Sequence, residues 1–406
     1  LGLIVQKFGE SSLNGTDSFQ IAAERIAKAY KNGDSVVAVA PAQPEAMGKL
    51  VRKARNINPG PSKREMDMLL SAGGQAQASL LAMAVEAKGC PVVSLTGFQG
   101  GITSDSNYGN ARIKSIDTER IFRELDRKNV VVIAGGQAWN KFDDITTFGE
   151  GGSNTTAVAV AAALKADLCE IYTESGGVYT ADPAVVKNAA RLGDISYDEL
   201  LELSSLGANI LHSRSVELAK KYNVVLVIKS ILDNTPGTVV KEVGSVEKML
   251  VRGVARDSNI ARIAVIGVQD KPGVAFKLFS ILAKENIGVD LIIQSIGRDD
   301  IKDISFTIAK QNLDRALEVL NAGIGILGAK EIQYSDRYSK LSIVGAGIVN
   351  NPAVAAMMFE ALYNANINIH MISTSEIKIS VLVDAQDADM GVNAIHEKFM
   401  LGELGK

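Results

Sequence analysis

The sequence predicts an α/β protein: a three-layer unit with a mostly parallel central sheet over residues 1–245, then two smaller units over 246–335 and 336–406. Three observations carry this. Short apolar runs alternate with helical patterns from residue 1 to about residue 240, the order of a layered α/β fold. Val130, Val131, Val132, Ile133 and Ala134 are apolar without interruption, as in a parallel strand covered on both faces. The last third repeats itself: a shift of 80 residues places Gly267 on Gly347, Pro272 on Pro352, Val274 on Val354, Phe279 on Phe359 and Leu282 on Leu362.

In chain order, residues 3–9 form a short apolar strand running into a polar turn, with Lys7 at its end beside Gly9. A lysine there either meets a phosphate or ends a solvated strand. Residues 18–30 pattern as a helix and 35–40 as a buried strand. Pro41 and Pro44 exclude a helix start before Glu45. Residues 64–87 pattern as an amphipathic helix pair around Gly73-Gly74. Strands follow at 91–96, 130–134, 168–173 and 224–229, with helices at 196–206 and 213–222. Ligands in such sheets sit beyond the carboxyl ends of the strands. Lys7, Gly135, Thr173 and Lys229 all fall near strand ends and are expected in one crevice.

Phe148-Gly149-Glu150-Gly151-Gly152-Ser153-Asn154-Thr155-Thr156 stands directly before an Ala-rich helix. Glycines let backbone N–H groups approach a ligand, and a helix N-terminus attracts an anion. Ser153 or Asn154 suits the N-cap. The alternative is a tight, well-capped loop without a ligand. Glu150 is discordant, because an anion site calls for a cation or a neutral group.

Composition excludes several classes. A net charge of −3 gives no sign of a nucleic-acid or anionic-membrane partner. No apolar run reads as long enough to span a bilayer, and residues 1–7 read as a strand rather than a signal peptide. Two cysteines, Cys90 and Cys169, argue against a disulfide framework or a cysteine metal site. The three histidines are scattered and read as structural. The expectation is a cytoplasmic protein.

Each repeat reads strand, Pro-containing turn, helix, Asn turn, strand, with Asn286-Ile287 on Asn366-Ile367. A unit this small gains from paired packing. Duplication for stability and a small-ligand sensor between the copies both remain open.

These residues resemble aspartate kinase, the family that phosphorylates the β-carboxylate of L-aspartate. The resemblance rests on Lys7-Phe8-Gly9, on Arg64-Glu65-Met66-Asp67, on Gly109-Asn110-Ala111-Arg112 and on Ile145-Thr146-Thr147. It continues through Glu170-Ile171-Tyr172-Thr173, Gly177-Val178-Tyr179-Thr180-Ala181-Asp182-Pro183, Arg214-Ser215-Val216-Glu217 and Pro236-Gly237-Thr238. The repeat is similar to the family's paired ACT domains through Asp270-Lys271-Pro272-Gly273 and Ser373-Thr374-Ser375-Glu376. The resemblance covers essentially the whole chain. It implies the amino-acid-kinase fold followed by two ferredoxin-like ACT domains with strand exchange between them, ATP and Mg2+ as cofactors, and in-line phosphoryl transfer. It also implies feedback control by lysine or threonine and a homodimer through the ACT domains. It places Lys7, Gly9, Ser153 and Asn154 in catalysis. Lys7, Gly9, Thr173, Tyr179, Asp182 and Lys229 fall at ATP; Ala46, Gly74, Glu150 and Ser153 fall at aspartate. Asp270, Gly273, Gln294, Asn366, Ser373, Thr374 and Glu376 fall at the effector. No protein metal site is implied.

The departures from the family pattern cluster at the pocket. The second glycine after the opening lysine is Glu10. The glutamate that would pair with the substrate ammonium is Gly74, and the arginine that would clamp its α-carboxylate is Glu150. The aspartate after Gly-Gly-Ser is Asn154. Three readings follow: an aspartate kinase, a catalytically impaired homologue that keeps the fold and amino-acid sensing, or a kinase of this fold with another acceptor.

Overall fold

The computed structural model describes residues 2–10, 13, 15–205, 211–242, 250–295, 297, 300–348 and 351–403. The chain opens with β1 (Leu3–Phe8), α1 (Thr16–Lys31) and β2 (Ser35–Ala40). α1 turns Ala22, Ala23, Ile26 and Ala27 inward, the spacing of one helical face. α2 (Pro44–Ile57) begins at Pro44 itself, not after it. Proline at the first helical position loses no intrahelical N–H bond, and its φ is already helical.

α3 (Lys63–Glu86) runs unbroken where the sequence predicts a pair. Its glycines serve close packing instead of a break. A Cβ on Gly73 would lie 2.6 Å from Met47 Sδ, and one on Gly74 would lie 3.0 Å from Gln137 Nε2. The Ser62 side chain caps the helix by accepting from Glu65 N. By length and composition alone α3 is long and apolar enough to cross a bilayer, a property core helices share. Its apolar content is that of a core helix: Ala78, Leu81 and Val85 pack with Ala38, Val130 and Val132 of the sheet.

β3 (Val92–Leu95), β4 (Ile102–Ser104), β5 (Ile113–Ile116), α4 (Glu119–Asp126), β6 (Val130–Ala134), β7 (Gln137–Trp139) and β8 (Ile145–Thr147) follow. Then come α5 (Gly152–Leu164), β9 (Leu168–Thr173), β10 (Asp194–Ile195), α6 (Tyr197–Leu203), α7 (Ser213–Tyr222), β11 (Leu226–Ser230) and β12 (Thr238–Val240). The large sheet has the order β10-β12-β11-β9-β1-β2-β6-β3 and is parallel except between β11 and β12. β6 is buried along its whole length, with helices on both sides. A smaller sheet, β5-β4-β7-β8, flanks it. α6 starts with a reciprocal Ser196–Glu199 capping box and ends at Leu203. The expected helix end at residue 206 lies outside the described residues.

The C-terminal third contains β13 (Gly253–Asp257), β14 (Ala261–Gln269), α8 (Val274–Lys284), β15 (Ile292–Gln294), β16 (Ile301–Ile308), α9 (Leu313–Leu327) and β17 (Glu331–Ser335). β18 (Tyr338–Val344), α10 (Ala353–Asn364), β19 (Met371–Thr374), β20 (Lys378–Asp384) and α11 (Ala388–Lys398) complete it. Two antiparallel sheets result, β15-β16-β14-β17 and β13-β18-β20-β19. β13 precedes the first unit in sequence yet pairs with β18 of the second. The expected boundary at 245/246 lies outside the described residues.

The repeat has a clear local cause. Asn286 (φ 56°) and Asn366 (φ 55°) are both left-handed. Each sits just past a helix, where asparagine tolerates that conformation better than most residues. Ile287 N and Ile367 N then donate to Leu282 O and Leu362 O, closing the two helices in the same way. Ile260, Leu291, Met371 and Leu382 pack the two units together.

Candidate active site

A cavity of about 290 Å3 opens where the ends of β6 and β8 meet the start of α5. Glu10, Met47, Gly74, Gln137, Glu150 and Ser153 are among its lining residues. The loop before α5 is shaped by Gly149 and Gly151, with φ of 75° and 67°. Gly151, not Ser153 or Asn154, is the N-cap; both side chains belong to the first helical turn. Thr156 fastens that turn to β6: its Oγ1 accepts from Gly136 N at 2.9 Å and donates to Gly152 O at 3.0 Å. Phe148 N donates to Gly136 O at 3.0 Å. On the other side, a Cβ at Gly151 would lie 2.3 Å from His212 Cβ. Gly151→Ala is therefore expected to lower stability by about 2 kcal/mol or more, read as a fall in the thermal unfolding midpoint.

Asp67 holds the adjoining wall. It is 1% exposed. Its Oδ2 accepts from Gly109 N and Thr147 N, both at 2.9 Å, and its Oδ1 accepts from Thr147 Oγ1 at 2.6 Å. A buried carboxylate saturated in this way fixes the end of β8 relative to α3.

Lys7 lies at the carboxyl end of β1 and is 5% exposed. Val5, two residues back on the same face of the strand, packs with Ala157 and Val158 of α5. Burial lowers the Lys7 pKa from 10.5 to about 8, and the Glu10 carboxylate opposes the fall. Among the described residues no carboxylate forms an ion pair with Lys7.

Of the residues that the resemblance assigns to ATP, Gly9 N donates to Tyr172 O at 2.9 Å, which ties the turn after β1 to β9. Thr173 Oγ1 accepts from Gly176 N at 3.2 Å. Tyr179 bridges to Arg191, and the Asp182 carboxylate accepts from Ala184 N at 2.9 Å. Tyr179 and Asp182 line a separate cavity of about 440 Å3 whose far wall is β13.

Lys229 does not join Lys7. It is in register with Tyr172, whose ring stacks on Phe8 at 5.1 Å. Side chains alternate along a strand, so this set projects from the face opposite Lys7. Lys229 pairs there with Glu170, which also accepts from Gln6 Nε2 at 2.9 Å and Tyr172 OH at 3.0 Å. The single crevice expected from strand ends is thus divided by the sheet.

Of the substrate-side residues, Gly74, Glu150 and Ser153 line the 290 Å3 cavity, while Ala46 does not and its neighbour Met47 does. The effector-side residues fall on two units. Asp270, Gly273 and Gln294 belong to the first, where Asp270 pairs with Lys302 at 2.7 Å. Asn366, Ser373, Thr374 and Glu376 belong to the second. Asn366 has the same helix-ending role as Asn286. The sequence marks Gly136 and Ala138 as departures from the family pattern but gives no role to Gln137 between them. Gln137 Nε2 donates to Ser71 O at 3.0 Å and occupies the space beside Gly74.

Residues 2–230 match the amino acid kinase family, and residues 263–323 and 341–399 match the ACT domain. The chain is 45% identical to aspartokinase of Geobacillus stearothermophilus over 404 residues, covering 99% of this chain and 98% of that protein. It is 44% identical to aspartokinase 2 of Bacillus subtilis, covering 99% of both. The fold matches the crystal structure of E. coli aspartokinase III in complex with aspartate and ADP, with a TM-score of 0.78 at 22% identity over 98% of this chain and all of that one. Fold and site define a kinase of the amino acid kinase class with a paired ACT region. The chain belongs to the aspartokinase family.

Proposed function

We propose that the chain transfers the γ-phosphoryl group of ATP to the β-carboxylate of L-aspartate, giving 4-phospho-L-aspartate and ADP in the cytoplasm. The observation that carries this is Lys7, a buried cation with no ion-pair partner among the described residues, on the strand face that packs against α5 through Val5. A buried ammonium left unpaired is costly unless an anion arrives to meet it. In the reaction a β-carboxylate oxygen attacks the γ-phosphorus, the bond to the bridging oxygen breaks, and ADP leaves. Catalysis of this kind is positioning and charge neutralisation. Lys7 neutralises the transferring group, and the free N–H groups of the first turn of α5, around Ser153 and Asn154, point at the phosphates. Gly9, Thr173, Tyr179 and Asp182 hold the nucleotide.

Magnesium commonly enters with the phosphates and needs few protein ligands. Asn154 Oδ1, buried without a hydrogen-bond partner, is a neutral oxygen that fits this ion's water shell. When bound, the ion would supply further neutralisation of phosphate charge. Lysine, threonine or both act as effectors at the ACT pair, through Asp270, Gly273, Gln294, Ser373, Thr374 and Glu376, in a homodimer joined by that region.

The same cavity favours a second reading, a chain that keeps fold and sensing with little turnover. Glu150 sets a carboxylate where the α-carboxylate of aspartate would lie, and Gln137 fills the space beside Gly74. An ADP-release assay with saturating aspartate and Mg-ATP separates the two. Turnover above background is the result expected of the kinase. Background turnover, together with a thermal shift by lysine or threonine, establishes the second reading.

A further inference from the structure

We infer that Thr180 and His396 are positioning residues, through which the second ACT unit holds the segment that carries Tyr179 and Asp182. The inference rests on the proposed reading of those two residues as nucleotide contacts.

Residues 174–193 connect β9 to β10 as a loose double-backed loop. Thr180 N donates to Ala190 O at 2.9 Å and Leu192 N to Val178 O at 2.8 Å, but the loop forms no sheet of its own. Its support comes from elsewhere. Thr180 is fully buried. Its carbonyl accepts from Val254 N of β13 at 2.7 Å. Its Oγ1 accepts from Ala190 N at 2.9 Å and lies 2.9 Å from Nε2 of His396 on α11. Ala181 and Val186 are built into the core of the second ACT unit with Val254, Val392 and Ile395. Asn393 Nδ2 adds a bond to Val185 O at 3.2 Å.

The pair is a hydrogen bond between a buried hydroxyl and a buried imidazole. The Thr180 hydroxyl oxygen accepts the Ala190 N–H with one lone pair, and its hydrogen or its second lone pair meets His396 Nε2. A neutral imidazole serves either direction, and His396, 1% exposed, is in surroundings that favour the neutral form. The hold is therefore a hydrogen bond as well as packing. Tyr179 and Asp182 flank the pinned residue and line the 440 Å3 cavity, whose other wall is Val254, Ala255 and Arg256 of β13 with Val392 of α11. A shift of the second ACT unit therefore reaches these two side chains directly.

The test uses the full chain with Thr180→Val, Thr180→Ser, His396→Leu and His396→Gln. Two quantities are read: amide exchange over residues 178–192 without ligand, and affinity for a non-hydrolysable ATP analogue by calorimetry beside affinity for aspartate. Thr180→Val and His396→Leu are expected to speed exchange in that segment and weaken the analogue about five- to tenfold, the size of one lost buried hydrogen bond. Aspartate affinity should move less than twofold. Thr180→Ser and His396→Gln keep a hydroxyl and a hydrogen-bonding partner for it and should stay near the parent. The double variant Thr180→Val/His396→Leu should be no worse than either alone. The inference is overturned if His396→Leu leaves exchange unchanged, if the Ser and Gln variants behave like Val and Leu, or if both affinities fall together. A parent chain that binds no ATP analogue overturns the nucleotide assignment itself. That failure is distinct, because the exchange measurement needs no nucleotide.

Discussion

Lys7→Met is expected to lower turnover by about 10³-fold or more and, at the same time, to raise the stability of the fold. The two effects have one origin. Lys7 is an almost wholly buried ammonium without an ion-pair partner among the described residues, and its pKa has fallen from 10.5 to about 8. A fall of that size corresponds to about 3 kcal/mol set against the charged form in the folded protein. Methionine has similar length, no charge and good tolerance of irregular packing. Its thermal midpoint at pH 7 should lie roughly 5 °C above that of the parent. The lost turnover reflects removal of the cation from the transferring phosphoryl group, where a single such charge is commonly worth 10³-fold or more.

The pH dependence follows with a definite sign. Between pH 8 and 10.5 the unfolded chain holds a proton on Lys7 that the folded chain has released. Stability conferred at this site therefore rises with pH through that window, and Lys7→Met abolishes the rise. Activity runs the other way. The charged form is the useful one, so kcat/KM, which reports the free enzyme, should fall above pH about 8. Bound phosphate favours the ammonium, so the corresponding limb of kcat lies at higher pH. A variant that loses activity and stability together would mean that Lys7 is a packing residue and not the phosphoryl contact.

What could be read from the sequence differs between backbone and pocket for physical reasons. Val130–Ala134 was legible as a central strand because covering both faces of a strand demands apolar residues at every position. The 80-residue repeat was legible because each copy needs asparagine at one left-handed position and apolar residues on one helix face. The capping side chains place the start of α5 two or three residues too late. Ser153 and Asn154 have good capping side chains, but the position is set by Gly151, whose φ and closeness to His212 leave no space for a side chain. The break predicted in α3 failed similarly. Glycine is a poor helix former alone, yet Gly73 and Gly74 are where Met47 and Gln137 approach the helix. Lys229 went astray because proximity to a strand end does not say which face a side chain takes; that depends on register with β9. The kinase–ACT contact through Thr180 and His396 joins residues 216 positions apart, beyond the reach of any local pattern.

Glu150→Arg combined with Gly74→Glu is expected to raise kcat/KM for aspartate by more than ~10³-fold, and the structure predicts that the two changes are unequal. Glu150 is exposed at the cavity rim, so an arginine there has space to extend and meets no packing penalty. It replaces repulsion of the α-carboxylate by a charge-assisted contact worth about 1.5–3 kcal/mol, with the removed repulsion in addition. Gly74 is different. A Cβ there would sit 3.0 Å from Gln137 Nε2 and 3.5 Å from Gly135 O. Gln137 is itself buried and bonded to Ser71 O, so a glutamate must first displace it and give up that bond, at a cost of about 1 kcal/mol. Gly74→Glu alone should therefore bring little or no gain. Glu150→Arg alone should bring most of it, and Gln137→Ala should let the glutamate of the double variant contribute in full. Steady-state kinetics at varied aspartate reads each step. If Glu150→Arg leaves KM for aspartate unchanged, the α-carboxylate is not bound at this loop. If all four variants stay at background while the ATP analogue still binds, the acceptor is something other than aspartate, and a cationic acceptor is the one Glu150 would suit.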